Sequence, residues 1–433
     1  MNEIILIVYT TKYRRGGHQF KKVAQTLASE KTKGSLEVRC QAIESKAELK
    51  SIFTSLVEDD KSIYEFHFIG HAGMYGPMFG TVSYPEQFSP YELENLKIPF
   101  STRAKAYFRC CRSARWFAPF FSKAQNVQTY GYYWYTTFSA RKDRYALPIF
   151  LKNRDLYCFG SPGRKSHGWS ATLKKMAGLM KPEPLKEFNE SNQHIDRTYN
   201  NVADLYADTF KDIKVRQDEY TWIKKHIPKE KPKKVLDIGC GNGALLRELR
   251  NDIEQGVGID ISENLLKHAT KSNAEFDNLE FKKIDGPKLN FPSEEFDLVI
   301  SLLSFRYLDW DPIMKEIERV LKSEGKLIIV DMVTAPVKWI EIPLFMKSKI
   351  SHYFDRYKMP EFYRNLRKLV SHPAWSVMLR YNPIRSQHEM KWYLESRFPG
   401  RKVEVINVGL HSRIIAFDSL NMKNTKNMEL SYP

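Results

Sequence analysis

Two stretches of the chain alternate short apolar runs with longer amphipathic segments. In the first stretch, EIILIVYT precedes the amphipathic GGHQFKKVAQTLASEK, and further apolar runs follow as LEVRCQAI, IYEFHFIGH and AKAYFRCC. In the second stretch, the apolar runs are KVLDIG, GVGIDIS, LEFKKID, FDLVIS and GKLIIVD. Buried strands that alternate with helices of about ten residues are typical of parallel sheets covered by helices on both faces. The pattern predicts an α/β protein of two domains, each built on a mainly parallel, doubly wound sheet.

The domain limits are predicted where this alternation stops. Residues 141–188 contain RKDR, GSPGRKSHG and KPEP, and they are predicted as a basic, turn-rich linker. This linker separates a first domain at residues 1–140 from a second domain at residues 189–418. Residues 332–383 are predicted as a helical lid inserted between the fifth and sixth strands of the second domain, and residues 419–433 as a tail. A chain of 433 residues is also too long for one ordinary core.

Composition narrows the class of protein. The chain has 42% hydrophobic and 27% charged residues, which is typical of a soluble globular protein. Its longest apolar runs have the length of strands, so no transmembrane segment is predicted. The start, MNEIILIVYTT, lacks a basic region and is interpreted as a first strand, not a signal peptide. The five cysteines show no zinc-type spacing, which predicts no metal site and favours a reduced, cytoplasmic location.

The net charge of +17 is large for a chain of this length. Such a charge is compatible with nucleic acid, anionic lipid or an acidic substrate as a partner, and also with a simple role in solubility. The positive residues are spread along the chain, and no nucleic-acid-binding module is recognisable. A nucleic-acid partner is therefore disfavoured.

A glycine-rich turn in VLDIGCGNG connects a predicted strand to a predicted helix. Gly239, Gly241 and Gly243 allow a tight turn and a close approach of a ligand to the backbone. The spacing G-x-G-x-G differs from the G-x-G-x-x-G that seats a pyrophosphate. Asp237 comes directly before the turn, where a carboxylate suits a ligand that carries an ammonium group.

Two further acids follow at the ends of the next two predicted strands. Asp260 is placed to accept hydrogen bonds from both hydroxyls of a ribose. Asp285 is placed to accept a hydrogen bond from the exocyclic amine of an adenine whose face packs on Ile261. An ammonium group, a ribose and an adenine together describe S-adenosylmethionine, which is the predicted cofactor.

Residues 234–331 resemble the core of the class I S-adenosylmethionine-dependent methyltransferases. VLDIGCGNG resembles motif I of that family, GIDIS the segment of the ribose acid, KKIDG that of the adenine acid, and FDLVISLLSFRYL the fourth strand with its loop. YNNVADLYAD resembles the upstream helix whose tyrosines close over the cofactor. The residues that the resemblance assigns to the cofactor site are Asp237, Gly239, Gly241, Gly243, Asp260, Ile261, Asp285, Gly286, Ser301 and Tyr199.

The methyl acceptor is less closely defined. Many methyltransferases that modify amino groups of nucleic acids or proteins carry an N-P-P-Y signature after the fourth strand, and this chain lacks it. SFRYLDW stands in its place and resembles the small-molecule methyltransferases of the family. The predicted lid holds nine aromatic residues, nine Lys or Arg and three Asp or Glu. This composition suits an aromatic or anionic acceptor, and it also suits a lid that rests on an anionic membrane surface. The candidates for a base are His352, His372, His388, Tyr307 and Tyr381, and spacing singles out none of them.

The glycine loop in YEFHFIGHAGMYG has no acid before it, but it holds His71 directly after a predicted strand. The next strand ends in YFRCCRSA, which places Cys111 at the same edge of the sheet. Residues 1–140 resemble the caspase-like cysteine peptidases, in particular the CHAT-type branch. The resemblance implies that His71 is a general base and Cys111 a nucleophile, with Cys110 as the adjacent alternative. The alternative is a caspase-like fold without proteolytic activity that serves recognition or regulation.

The sequence thus predicts an enzyme that transfers a methyl group from S-adenosylmethionine to a small-molecule or lipid-like acceptor. Its first domain is then a second enzyme or a regulatory module. One alternative is a cysteine peptidase or peptide-recognition protein that carries an auxiliary methyltransferase domain. A weaker alternative is a nucleic-acid methyltransferase.

Overall fold

The computed structural model describes most of the chain. The described residues are 2–12, 15–73, 75–80, 85–88, 90–146, 155–161, 173–174, 177, 181–189, 198–335, 337–381, 384–409 and 412–421. The chain divides into two compact units, Met1–His194 and Ile195–Pro433. Parts of the predicted linker and most of the predicted tail lie outside the described residues.

The first unit is built on a six-stranded sheet with the order β11-β8-β7-β3-β1-β2. Its pairs are parallel except that of β11 with β8. Two smaller sheets, β4-β5-β6 and β9-β10, accompany it. The strands are β1 (Asn2–Thr10), β2 (Glu37–Ile43), β3 (Lys61–Ile69), β4 (Ala72–Gly73), β5 (Gly76–Gly80), β6 (Pro85–Gln87), β7 (Phe100–Arg109), β8 (Gln128–Gly131), β9 (Tyr135–Ser139), β10 (Tyr157–Ser161) and β11 (Lys186–Phe188).

The helices of the first unit cover this sheet through apolar stripes. Helix α1 buries Phe20, Val23 and Ala24, whose spacing places them on one face. Helix α2 begins at a true N-cap, since the Ser45 side chain accepts a hydrogen bond from the Glu48 backbone N–H at 3.1 Å. The helices are α1 (Gly17–Lys31), α2 (Lys46–Glu58), α3 (Pro90–Glu94) and α4 (Phe117–Gln125).

Two sequence-based expectations for the first unit differ from the structure. The run QTYGYYWYTTFS is rich in strand-forming residues and predicts one late strand, but the structure divides it into β8 and β9, which belong to different sheets. The predicted linker contributes β10 and β11, so it is not a plain connector. For β10 the physical reason is burial, because Cys158 and Phe159 are part of the unit's apolar interior, whereas β11 pairs at the edge of the sheet with β8.

The second unit is built on a seven-stranded sheet with the order β14-β13-β12-β15-β16-β18-β17. The pairs from β14 to β16 are parallel, and β18 is antiparallel to both of its neighbours. The strands β12, β15 and β16 are buried over most of their length, as expected for a sheet covered on both faces. The strands are β12 (Lys234–Ile238), β13 (Gln255–Asp260), β14 (Leu279–Lys283), β15 (Phe296–Leu302), β16 (Leu321–Thr334), β17 (Glu404–Val408) and β18 (Ser412–Asn421).

Helices of the second unit flank the sheet and fill the stretch between its fifth and sixth strands. Helix α9 buries Ile313, Ile317 and Val320 against the core at helical spacing. Three helices, α10 to α12, follow β16 within the stretch predicted as a lid. The helices are α5 (Ala203–Thr209), α6 (Gln217–His226), α7 (Ala244–Leu249), α8 (Glu263–Ser272), α9 (Trp310–Val320), α10 (Ile342–Lys358), α11 (Pro360–Ser371), α12 (Pro373–Tyr381) and α13 (Gln387–Arg397).

The prediction of a mixed α/β chain with parallel-rich sheets is confirmed by these pairings. In the described part of the chain, none of the helices has the length and apolar character that crossing a bilayer requires.

Candidate methyl-transfer site

The glycine turn after β12 has a backbone that only glycine adopts readily. Gly239, Gly241 and Gly243 have φ values of 76°, 56° and 73°. A Cβ atom on Gly239 would lie 2.3 Å from the Ser304 Cβ, so the turn packs directly on the loop after β15. A Cβ atom on Gly241 would lie 3.5 Å from the Tyr206 ring, and this glycine therefore stands under an aromatic side chain.

Asp237 is an acid held inside the protein at the end of β12. Its side chain is 1% exposed, and the Oδ1 atom is buried without a hydrogen-bond partner in the described part of the chain. Burial, with a smaller effect of nearby Asp260, raises the pKa of Asp237 to about 8. A buried carboxyl oxygen without a hydrogen-bond donor is suited to a ligand that supplies a positively charged donor, such as an ammonium group.

Asp260 ends β13 and is fixed by the backbone on both sides. Its Oδ2 atom accepts from the Gly241 N–H at 2.9 Å, and its Oδ1 atom accepts from the Ser262 N–H at 2.8 Å. Burial raises the pKa of Asp260 in spite of these bonds. The next residue, Ile261, leaves 50% of its surface exposed, which gives an apolar platform directly beside a polar anchor.

Three other residues predicted for the cofactor site have different surroundings. Asp285 is exposed and forms an ion pair with Lys283 at 3.5 Å. Gly286 has a φ of 90°, and no atom of the described residues lies within 4 Å of the place that a Cβ would take. Ser301 is fully buried, and its Oγ lies 2.7 Å from the Ser304 Oγ. Ser301 therefore supports the loop after β15 instead of lining an open surface.

An aromatic cluster gathers beside the glycine turn. The ring of Tyr199 contacts the rings of Tyr206, Tyr307 and Trp375, with centroid distances of 5.1, 6.3 and 5.9 Å. Burial raises the pKa of Tyr199 well above its ordinary value. Tyr199 lies just before α5 and Tyr206 within it, Tyr307 lies in the loop after β15, and Trp375 lies in α12. The cluster forms an apolar wall with phenol oxygens at its edge.

Tyr307 differs from the other candidate bases because a cation stands beside its hydroxyl. The Arg306 guanidinium donates to the Tyr307 Oη at 3.0 Å, and the Tyr199 Oη donates to it at 3.4 Å. Arg306 is itself buried and forms an ion pair with the fully buried Asp331. That carboxylate also accepts from the Arg306 N–H at 2.6 Å, so the guanidinium has a fixed position.

The remaining base candidates lie apart from this arrangement or outside the described side chains. The His372 Nδ1 accepts from the Ala374 N–H at 3.3 Å at the junction of α11 and α12. His388 lies on α13 with its side chain exposed. The side chains of His352 and Tyr381 are outside the described part of the chain.

A polar contact that the sequence did not indicate ties the Tyr199 segment to the turn after β13. The Asn200 Oδ1 accepts from the Ser262 Oγ at 2.9 Å and from the Asn264 N–H at 3.2 Å. Ser262 also caps α8 by accepting from the Leu265 N–H at 3.3 Å. Ser304, Tyr206 and Arg306 were also not predicted, because each acts through a contact between segments distant in sequence. The one available signal was Tyr206, which follows Tyr199 at helical spacing.

In the first unit, His71 and Cys111 follow neighbouring parallel strands. Ile69 at the end of β3 is paired with Arg109 at the end of β7, and each candidate stands two residues further on. The His71 Nε2 is 2.9 Å from the Arg15 carbonyl, and the Cys111 Sγ is 3.2 Å from the Thr136 Oγ1.

Of the two adjacent cysteines, Cys111 is the accessible one. It is half-buried, whereas Cys110 is fully buried and its pKa is raised well above the ordinary value by burial. Buried thiols of this kind are unreactive. Cys111 is therefore the better candidate for thiol chemistry.

Comparisons with known proteins agree on the second unit. A family model described as "Methyltransferase domain" matches residues 236–329. The demethylmenaquinone methyltransferase of Staphylococcus aureus strain MRSA252 is 25% identical over 246 residues, which cover 55% of this chain and 98% of that protein. An uncharacterized methyltransferase of Schizosaccharomyces pombe is 33% identical over 115 residues, which cover 24% of this chain and 42% of that protein.

A solved structure described as a SAM dependent methyltransferase from Aquifex aeolicus has 17% identity and a TM-score of 0.35, and the match covers 52% of this chain and all of that one. The family model matches the stretch that holds the glycine turn, the two buried acids and the loop of Arg306 and Tyr307. Residues 236–329 of the second unit therefore match a methyltransferase domain, and its cofactor is S-adenosylmethionine.

Proposed function

We propose that this chain transfers a methyl group from S-adenosylmethionine to a small-molecule or lipid-like acceptor. The observation that carries this proposal is the aromatic cluster of Tyr199, Tyr206, Tyr307 and Trp375 beside the glycine turn. Such a wall suits a flat, apolar acceptor better than a charged polymer. The relative named for demethylmenaquinone favours an acceptor of the same broad class.

The residues around the glycine turn fit the cofactor from end to end. Asp237 would bind the ammonium group with the oxygen that has no partner among the described residues, and Asp260 would bind the ribose hydroxyls. Ile261 would carry the adenine face, with Asp285 and Gly286 at its outer edge. Tyr199 would lie over the methionine portion. When bound, S-adenosylmethionine supplies an electrophilic methyl group, and these residues hold it in one orientation.

Tyr307 is the residue that we assign to the acceptor's proton. Its Oη is at the edge of the aromatic cluster, and the Arg306 guanidinium donates to it at 3.0 Å. A phenol oxygen can take up a proton only as the phenolate, and a fixed positive charge beside it stabilises that anion. The ion pair with Asp331 prevents the guanidinium from turning away. Tyr307 would thus orient the acceptor and take up its proton.

Incubation of the full chain with a cell extract and methyl-labelled cofactor tests this function. We expect label in the small-molecule or lipid fraction, with Tyr307→Phe lowering the rate by about 10²- to 10⁴-fold and weakening cofactor binding at most severalfold, through the lost bond to Tyr199. Tyr220→Phe is the matched control, because it removes a phenol that bonds Glu248 at 3.4 Å outside the cluster. Label confined to the protein or nucleic-acid fraction would contradict the proposal.

A second candidate function belongs to the first unit. We propose that His71 and Cys111 form the centre of a cysteine peptidase or peptide-recognition site, supported by their equivalent places after β3 and β7. Both side chains have polar neighbours, since the His71 Nε2 lies 2.9 Å from the Arg15 carbonyl and the Cys111 Sγ lies 3.2 Å from the Thr136 Oγ1.

A thiol-directed covalent probe tests this candidate. Labelling of Cys111 should fall at least tenfold in His71→Ala, because an activated thiol depends on its base. Cys40→Ser is the control, since Cys40 is also half-buried but lies on β2. Equal labelling of Cys111 with and without His71 would exclude an activated pair.

A further inference from the structure

The segment that follows β16 exposes large apolar side chains to an unusual degree. Trp339 and Ile340, in the 3₁₀ turn Trp339–Glu341, are 90% and 87% exposed. A tryptophan with nearly all its surface in water costs free energy that a folded chain normally avoids. This turn leads directly into α10.

Helix α10 continues the apolar surface along one face. A stripe of exposed apolar residues recurs at helical spacing and is about 120° wide. The opposite face is directed inward, since Ser348 is buried and its Oγ donates to the Asn407 Oδ1 of β17 at 3.4 Å. The helix therefore shows its apolar side to the outside. The stripe consists of Ile342, Met346, Ile350, Tyr353, Phe354 and Tyr357.

Positive charges flank this stripe, whereas the two nearby acids are engaged elsewhere. Lys349, Arg356 and Lys358 are exposed beside the stripe. Glu341 forms an ion pair with the fully buried Arg413, and Asp355 is half-buried on the inner side of α10. An apolar stripe bordered by cations is the pattern of helices that lie in the interface of an anionic bilayer.

We propose that the apolar stripe of α10, with Trp339 and Ile340, docks on an anionic lipid bilayer. In this arrangement Trp339 anchors at the headgroup level, and the flanking cations contact lipid phosphates. The docking surface is defined by Trp339, Ile340 and the six stripe residues, and it lies parallel to the bilayer plane. It does not depend on the identity of the methyl acceptor.

The same group of helices also borders the candidate methyl-transfer site. Phe362 of α11 contacts Phe210 at a centroid distance of 6.0 Å, and Trp375 of α12 contacts Tyr199 at 5.9 Å. The docked face and the aromatic cluster thus belong to consecutive helices of one insertion. Docking would thus attach to the lipid surface the same insertion that supplies part of the wall of the site.

Vesicle flotation of the full chain tests the proposal. We expect binding to vesicles of phosphatidylcholine with phosphatidylglycerol, weak binding to phosphatidylcholine alone, and loss of binding as salt rises. Trp339→Ser with Ile340→Ser should weaken partition about tenfold or more. Lys349→Gln with Arg356→Gln should weaken it on the order of tenfold. Val57→Ser is the matched control, because Val57 is 53% exposed on α2 of the first unit.

Three outcomes would overturn the inference. The first is the absence of binding to either vesicle type, and the second is equal binding by the Trp339 and Ile340 double variant. The third is a concentration-dependent dimer in sedimentation that this double variant abolishes, since the apolar face would then be covered by a second copy. Quenching of Trp339 by brominated lipid, lost in Trp339→Phe, would support the lipid contact directly. Methyl-transfer activity is not used as a readout, so the proposed function can fail independently.

Discussion

Asp237 connects the electrostatics of the protein interior to ligand binding. With its pKa at about 8, the carboxyl group is mostly protonated at neutral pH in the ligand-free protein. An ammonium group beside it favours the carboxylate and lowers the pKa. Binding of the cofactor should therefore release a proton, and affinity should rise with pH until about 8.

The proton release is measurable by calorimetric titration in buffers of different ionisation enthalpy. Near about pH 6.5 to 7.5, we expect release of up to about one proton per bound cofactor. Asp237→Asn should abolish this release and weaken binding by about 10- to 100-fold, because a charge-assisted hydrogen bond is lost. Asp285→Asn is the control at the exposed end of the site, and it should keep the proton release. A pH-independent affinity in the native protein would contradict the assignment.

Gly239 is a position where both backbone and packing exclude a side chain. Gly239→Ala should lower the free energy of unfolding by about 2–4 kcal/mol, since it combines a positive φ with an overlap with Ser304. Ser304 has little freedom to move, because its Oγ donates to the Ile238 carbonyl at 2.5 Å. The measurement is denaturant unfolding of the second unit.

Gly286→Ala separates the cost of a positive φ from the cost of steric overlap, which Gly239→Ala combines. Gly286 also has a positive φ, but the space around it is open, so a loss of only about 1 kcal/mol is expected. Equal losses at the two glycines would show that packing on Ser304 contributes nothing.

For single residues, the sequence predicts which residues lie in the site better than it predicts which side chains they contact. The turn glycines and the two buried acids could be selected from spacing, because they follow strands of a regular sheet. The choice of Tyr307 among five base candidates could not be made, because it depends on a 3.0 Å contact with Arg306, whose own position is set by Asp331. Ser301 was selected for its place in the strand, but its hydroxyl bonds to Ser304.

At the scale of single elements, Ser262 at the N-terminus of α8 both caps the helix and bonds Asn200. Ser262→Ala should cost about 1 kcal/mol through the lost cap. It should also weaken cofactor binding severalfold, because Asn200 loses a bond that holds the segment of Tyr199. Thermal unfolding and calorimetric titration measure the two effects.

Ser386→Ala is the control for α8, because Ser386 caps α13 by accepting from the Glu389 N–H at 3.3 Å. A similar loss of stability with unchanged cofactor binding is expected there. Unchanged binding in both variants would mean that Asn200 does not position Tyr199.

The limits of elements were harder to predict than their types. The aromatic run that forms β8 and β9 has strand-forming residues throughout, so local preference gave no sign of a break. The division arises because β8 pairs with β7 whereas β9 pairs with β10. Likewise, β10 and β11 were hidden in a basic, turn-rich stretch, since strands of three to five residues leave a weak pattern.

At the scale of the whole molecule, the methyl-transfer site is built by one unit. Its described residues and the two apolar cores around them all belong to Ile195–Pro433. A fragment of residues 195–433 should therefore bind S-adenosylmethionine within about threefold of the full chain, and the fragment with Asp237→Asn should bind it about 10- to 100-fold more weakly. Calorimetric titration of both fragments checks this, and loss of binding in the unsubstituted fragment would contradict it.

The position of β18 also determines when the sheet of the second unit can be completed during synthesis of the chain. Because β18 lies between β16 and β17, a nascent chain that ends before Ser412 leaves β16 as a bare edge and gives β17 no neighbour. The sheet is completed only when the ribosome has delivered β18. Until then, the apolar edge of β16 is a site for chaperone binding or for pairing between nascent chains on one messenger.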